Sequence, residues 1–255
     1  MTNFIFIIKA WKYLFSKFVI FLLIGYALNL ILIMYIGIEP TTVFKTVAIG
    51  PKITYPLIEK SFSNSMDPAI ILFLNNSCVA LCLMSVLFVV PRLNPNTRSN
   101  SPSFFKKQLM KGVDLKFLYP LRSFRAVCDK RLRPVYFCLF ILPVLAMMSF
   151  GLIVGSLMAT GHIVLDSLAV VMACIIPHGI FEISALVLGT SIPLSAYFII
   201  KNNLENGDTE SVFCKINSII FSKRSWLCMG FVFLLLAMAA FVEGHLTEHV
   251  VSWYK

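Results

Sequence analysis

The chain has 255 residues, 58% of them hydrophobic and only 13% charged, with a net charge of +10 and a mean hydropathy of +0.85. No soluble domain of this length has such a composition, so a water-soluble globular protein is excluded. Runs of 18 or more apolar residues, each able to cross roughly 30 Å of hydrocarbon as a helix, recur along the sequence. The expected fold class is therefore all-α, a polytopic transmembrane helical bundle of about five spans.

Residues 1–17, with Lys9, Lys12 and Lys17, are expected to form a cytoplasmic amphipathic segment, and residues 18–255 a single membrane domain. Hydropathy and flanking charge place the first span at about 18–38, the second at 69–90 and the third at 134–158. A fourth apolar stretch, 163–200, is too long for one simple crossing and contains Pro177 and Gly179. Proline lacks a backbone donor and disfavours helix at the preceding residue, so a break is expected near Ile176. It would take the form of a long kinked helix, or of a re-entrant half-helix (164–176) that meets a full helix starting near Gly179. Freed backbone at membrane depth must be covered by protein or water, so residues 177–179 should face the bundle interior. The fifth span covers about 226–242.

Basic residues set the orientation. Residues 91–133 hold eleven Lys or Arg against Asp114 and Asp129, which is +9 of the chain's +10. By the positive-inside rule this loop is cytoplasmic, as are the N-terminus and the 201–225 segment with Lys201, Lys215, Lys223 and Arg224. The 39–67 stretch balances three lysines against three acids, and the 159–166 link has no basic residue, so both face outward, as does the C-terminus. No small-residue cleavage site follows the first span, which is expected to stay attached. A multi-pass protein of a prokaryotic cell (inner) membrane fits this pattern.

Five of the seven cysteines fall in or beside spans and two, Cys128 and Cys214, in cytoplasmic loops, so no disulfide framework is expected and the spacings suit neither zinc nor haem. Residues 92–103 have the composition of a flexible loop. Residues 4–17, 104–118 and 209–222 pair Phe, Leu or Ile with Lys at spacings that let one side lie in the headgroups. A cytoplasmic loop is basic as a rule, so its charge is no argument for nucleic acid, and none is expected as a partner.

Small and polar residues within the spans mark expected helix interfaces. Asn75, Cys78, Cys82 and Ser85 form one stripe of the second span, and Gly151 and Gly155 form a G-x-x-x-G in the third that would permit close backbone approach. Gly25 and Asn29 in the first span read the same way. His178 and Glu182 share a helical face with Cys174, Ala185 and Gly189. A charged carboxylate at mid-bilayer costs at least about 2.5 kcal/mol, so such residues are paired and turned inward. Glu182 can be stabilised by His178, by protonation or by an Asn such as Asn76 on a neighbouring helix. Three roles stand open for the pair: a polar knot in a broken helix, a substrate or proton pathway, or a metal or catalytic site. Metal is disfavoured because two ligands are too few. There is no G-x-S-x-G and Ser184 has no base, so no catalytic residue, cofactor or enzymatic activity is expected. Glu243, at the end of the fifth span, is placed at interfacial depth, where a hydrated carboxylate is ordinary.

The segment "PHGIFEISALVLG" (177–189) resembles the signature of the stage II sporulation protein M family of integral membrane proteins, in which P-H-G-x-x-E opens a helix. "FLNNSCVAL" (73–81) is similar to that family's N-x-x-V-A segment, "GLIVG" (151–155) to its glycine-bearing span, and "AAFVEGHLT" (239–247) to its closing A-A-x-x-E-G-x-x-T. The shared positions are Asn76, Gly151, Gly155, Pro177, His178, Gly179, Glu182 and Glu243, in blocks spread over about 66–250. The long basic loop and the His of "EGHLTEH" depart from the usual pattern. The resemblance implies a multi-span protein without enzymatic chemistry of its own. The member that gives the family its name anchors cell-wall-degrading partners at the septal membrane during engulfment. Relatives occur beside ATPase genes or in bacteriocin export and immunity clusters.

Two functions follow as expectations: a non-enzymatic membrane scaffold that recruits envelope proteins, or a permease-like subunit working with a cytoplasmic ATPase. The expected partners are the lipid bilayer and other membrane or envelope proteins, and a homo-oligomer is compatible with both. The topology is tested by cysteine labelling in a background freed of the native cysteines. An impermeant thiol reagent added outside should modify Gly50→Cys and leave Met110→Cys untouched, and the reverse pattern would invert the orientation.

Overall fold

The computed structural model describes residues 2–47, 68–94 and 120–245. The expected amphipathic piece at 104–118, most of the 39–67 and 91–133 stretches, and the tail with Thr247 and His249 lie outside the described residues. The described chain is helical: α1 (Thr2–Met34), α2 (Pro40–Val47), α3 (Pro68–Val89), α4 (Leu142–Leu165), α5 (Leu168–Glu205), α6 (Thr209–Ile220) and α7 (Lys223–His245). Five helical segments are long and apolar enough to cross a membrane: α1, α3, α5, α7 and the run Lys130–Leu165 that contains α4.

Local chemistry explains the joints. Asp129 accepts from the backbone amide of Arg131 at 2.9 Å and pairs with its guanidinium at 3.0 Å. This arginine holds the Asp129 carboxyl below the usual carboxylate range. The chain then enters the third span through a single π-turn, Phe137–Ile141. Pro143 follows at the start of α4. Proline has no N–H for the preceding turn and its ring crowds the carbonyl four residues back, and a widened turn just before it relieves both. Asp166 closes α4 in the left-handed conformation (φ 49°), and the Ser167 hydroxyl accepts from Val170 N to start α5. Gly207 (φ 73°) follows the end of α5 where the left-handed turn favours glycine, and Asp208 caps α6 by accepting from Ser211 N at 3.1 Å.

The α1–α4 contact uses the G-x-x-x-G as expected. A Cβ on Gly151 would collide with the Phe18 carbonyl, one on Gly155 with the Leu22 carbonyl, and one on Gly25 with the Leu152 carbonyl. The same contact is fastened by polar groups: Asn29 Nδ2 donates to Ser156 Oγ at 2.6 Å, and the Tyr26 hydroxyl meets His162 Nδ1 at 2.6 Å. Helix α5 packs against α1, α3, α4, α6 and α7, and Ala185–Tyr197 is buried apart from Leu188. Its hydroxyls are satisfied within the helix, with Thr190 Oγ1 donating to Leu186 O at 2.6 Å and Ser195 Oγ to Ile192 O at 2.7 Å.

Two expectations are corrected. Of the two forms expected for the fourth span, the re-entrant half-helix does not occur, because α5 is one continuous 38-residue helix that contains both Pro177 and Pro193, which leaves the single long helix. Where lipid replaces water, every backbone group freed by a break costs several kcal/mol, whereas a proline kept inside a helix forfeits only one donor. Second, the Asn75/Cys78/Cys82/Ser85 stripe is not the interface of α3: Cys78, Cys82 and Ser85 are exposed, and the buried face is Asn76, Ser77, Ala80, Met84 and Leu87. The Ser85 hydroxyl donates to Cys82 O at 2.8 Å and so needs no partner helix. Residues 4–17 form the first half of α1 and run into the first span without a break. In α6, Val212, Phe213, Ile216 and Ile219 are buried, and the helix packs against α5.

The α1–α4 contact leads to a mutational contrast. Gly155→Leu must push α1 and α4 apart and should destabilise the bundle by at least the roughly 1–3 kcal/mol of an overpacked core. Gly230→Leu, at an exposed position where an added Cβ meets nothing within 4 Å, should be neutral. Thermal unfolding in detergent, followed by size-exclusion recovery, distinguishes the two, and equal stability of the variants would refute the close contact.

A candidate polar site between two spans

The site is built from two helical stripes. On α5, His178 and Glu182 continue one face into Ala185 and Gly189. That face points at α3 and α7, since a Cβ on Gly189 would meet Met84 Cγ at 3.5 Å and Val232 Cγ1 at 3.8 Å. On α7 the buried stripe is Val232, Leu236, Ala239 and Ala240, and Glu243 is its next member at helical spacing. The two stripes converge, bringing ligand atoms of His178, Glu182 and Glu243 within 4.8 Å of one another. All three side chains are partly buried, and His178 Nδ1 is wholly buried with no hydrogen-bond partner.

Two ionised carboxylates at that separation repel by about 3 kcal/mol even at an effective dielectric near 20. The cluster therefore demands compensating positive charge, as bound protons or a bound cation. The basic residues of α5 and α7, Lys201, Lys223 and Arg224, stand at the other ends of those helices, and α3 has none.

The remaining residues singled out in the sequence separate into other places. Asn76 is buried on α3 and its Oδ1 accepts from Asn75 Nδ2 at 3.1 Å. Measured from the Met84–Gly189 contact, Asn76 and Ser77 lie about two turns along α3, and Glu182 lies about two turns along α5, so the three share a depth. Ser77 Oγ is buried there without a partner. Gly179 lies off the polar face: a Cβ there would meet Ile175 and Ile183, and the residue lines an apolar cavity of about 360 Å³ between α1, α4 and α5. Pro177 is half-buried within α5, and Gly151 and Gly155 serve the α1–α4 contact away from the cluster. Sequence reasoning missed the partnership of Glu243 with His178 and Glu182. The available signal was its place four residues after Ala239 on an otherwise apolar face.

Five apolar helices among the described residues, with a polar cluster held between two of them, define a multi-pass helical membrane protein. Residues 135–248 match the family model described as Stage II sporulation protein M, as the sequence resemblance implied, and that stretch carries α4 to α7 with His178, Glu182 and Glu243. The "FLNNSCVAL" block at 73–81 lies before the matched stretch. Neither the curated proteins nor the solved structures gave a match.

The convergence of α5 and α7 has a direct test. In a background freed of native cysteines, the pair His178→Cys and Glu243→Cys should cross-link through a short bis-thiol reagent, while His178→Cys with Gly230→Cys should not. Equal cross-linking of both pairs would contradict the packing of these helices.

Proposed function

We propose that the chain is a non-enzymatic membrane scaffold that recruits partner proteins, such as envelope-remodelling factors, to the cell membrane. The observation that carries this reading is the solid interior: α5 is buried almost all round from Ala185 to Tyr197 by α1, α3, α4 and α7. A helix apolar and covered on every side is a core element rather than the lining of a path. The permease-like alternative drew its support from a discontinuous helix of the kind that forms transporter sites at mid-membrane. The continuity of α5 removes that support. The family match and the basic residues of 91–133 are consistent with a membrane platform whose cytoplasmic side meets other proteins. In this reading the N-terminus is cytoplasmic and the C-terminus outside.

The test is recovery of partners from cross-linked membranes. With Lys106, Lys107, Lys111 and Lys116 replaced by Gln, the bundle should keep its unfolding temperature while co-purifying proteins fall several-fold. The scaffold reading fails if a nucleotide-binding subunit co-purifies stoichiometrically in mild detergent and ATP drives a solute across vesicles that contain both proteins.

A further inference from the structure

We infer that His178, Glu182 and Glu243 form a binding site for one divalent transition-metal ion of the zinc class, which ties α5 to α7. The donor set is one imidazole nitrogen and two carboxylates from two helices. This combination suits Zn2+ and its neighbours better than Ca2+ or Mg2+, which prefer all-oxygen shells. The geometry is nearly closed. A point equidistant from three atoms at the corners of a 4.8 Å triangle lies about 2.8 Å from each, against the roughly 2.1 Å of Zn–N and Zn–O bonds. A rotation of the two flexible glutamate side chains closes that difference without moving either helix.

A second observation points the same way. His178 Nδ1 is buried and without any partner. A protonated ring would carry a donor there with no acceptor, whereas an ion held by Nδ1 would take up that atom's lone pair and leave the ring proton on Nε2. The charge also balances, because a divalent cation neutralises two carboxylates that no Lys or Arg of α3, α5 or α7 approaches among the described residues. The three side chains are partly buried rather than sealed, so an ion can enter and a further position remains for water. Binding there would stabilise the membrane protein by mass action and release no product, so this inference stands independently of the scaffold reading.

The experiment uses the full chain in lipid nanodiscs, stripped with chelator and titrated with Zn2+ against a chromophoric competitor. Wild type should bind one Zn2+ per chain, unfold at a higher temperature when loaded, and show nitrogen and oxygen coordination by X-ray absorption. His178→Ala, Glu182→Gln and Glu243→Gln should each weaken binding by about tenfold or more, while Glu243→His, which supplies another zinc ligand, should retain it. His162→Ala and Cys128→Ser serve as controls and should bind as wild type does. Size-exclusion profiles of the stripped proteins verify that each variant is folded. The inference is overturned if folded wild type binds no Zn2+, if the coordination is by sulfur, or if the three variants bind as tightly as wild type.

Discussion

The arrangement depends on covering α5. Twelve of the thirteen residues from Ala185 to Tyr197 are buried, so this helix has no face left for lipid over more than three turns. Within a bilayer there is no hydrophobic drive to bring helices together, and close packing and hydrogen bonds must do it. Small residues on α5, among them Ala185, Gly189, Ser191, Ser195 and Ala196, let its neighbours approach on several sides. The remaining spans are arranged around that requirement, with α1 and α4 on one side and α3 and α7 on the other. The α1–α4 pair is itself locked by direct backbone contact at Gly25, Gly151 and Gly155.

This division gives α5 two different faces over residues 172–184. Met172, Ile175, Gly179 and Ile183 turn to the apolar cavity beside α1 and α4. His178 and Glu182 turn to α7 and meet Glu243. A re-entrant break at Pro177 would have scrambled that division, because residues before and after it would no longer share one helical register. Continuity through the proline is what keeps the polar face in line with Ala185 and Gly189.

Much of the fold was legible because its signals are strong and local. Span number follows from long apolar runs, and the G-x-x-x-G at Gly151 and Gly155 identified a real contact because glycine at four-residue spacing has few other uses in an apolar helix. The re-entrant break was misjudged because rules learned from water-exposed helices let water satisfy the backbone groups that a break frees, whereas in lipid those groups find no such partner and a continuous helix with one missing donor costs less. The α3 stripe was misjudged because Ser85 satisfies itself against its own backbone, and small polar residues that do so can face lipid. On the site, the face of α5 with His178 and Glu182 was legible from i, i+4 spacing. The third member was not, because Glu243 is 61 residues from Glu182 and only the pairing of α5 with α7 brings them together.

The position of the cluster along the helices bears on how it can be used. The described part of α7 ends two residues beyond Glu243, and Gly244 lies against Ala69, where α3 begins. Helix α5 instead starts ten residues before His178, which extends it by about 15 Å past that level. Helices α1 and α4 accompany it, with Tyr26 bonded to His162 near their matching ends. Among the described residues, the cluster thus lies near the Glu243 end of α7, on the side of the bundle where α3 begins, and ten residues inside α5. A charged group near the end of a span is less costly than one at mid-bilayer, because its side chain can reach toward headgroups or water while its stem rests on protein. That placement lets two glutamates persist in an apolar bundle.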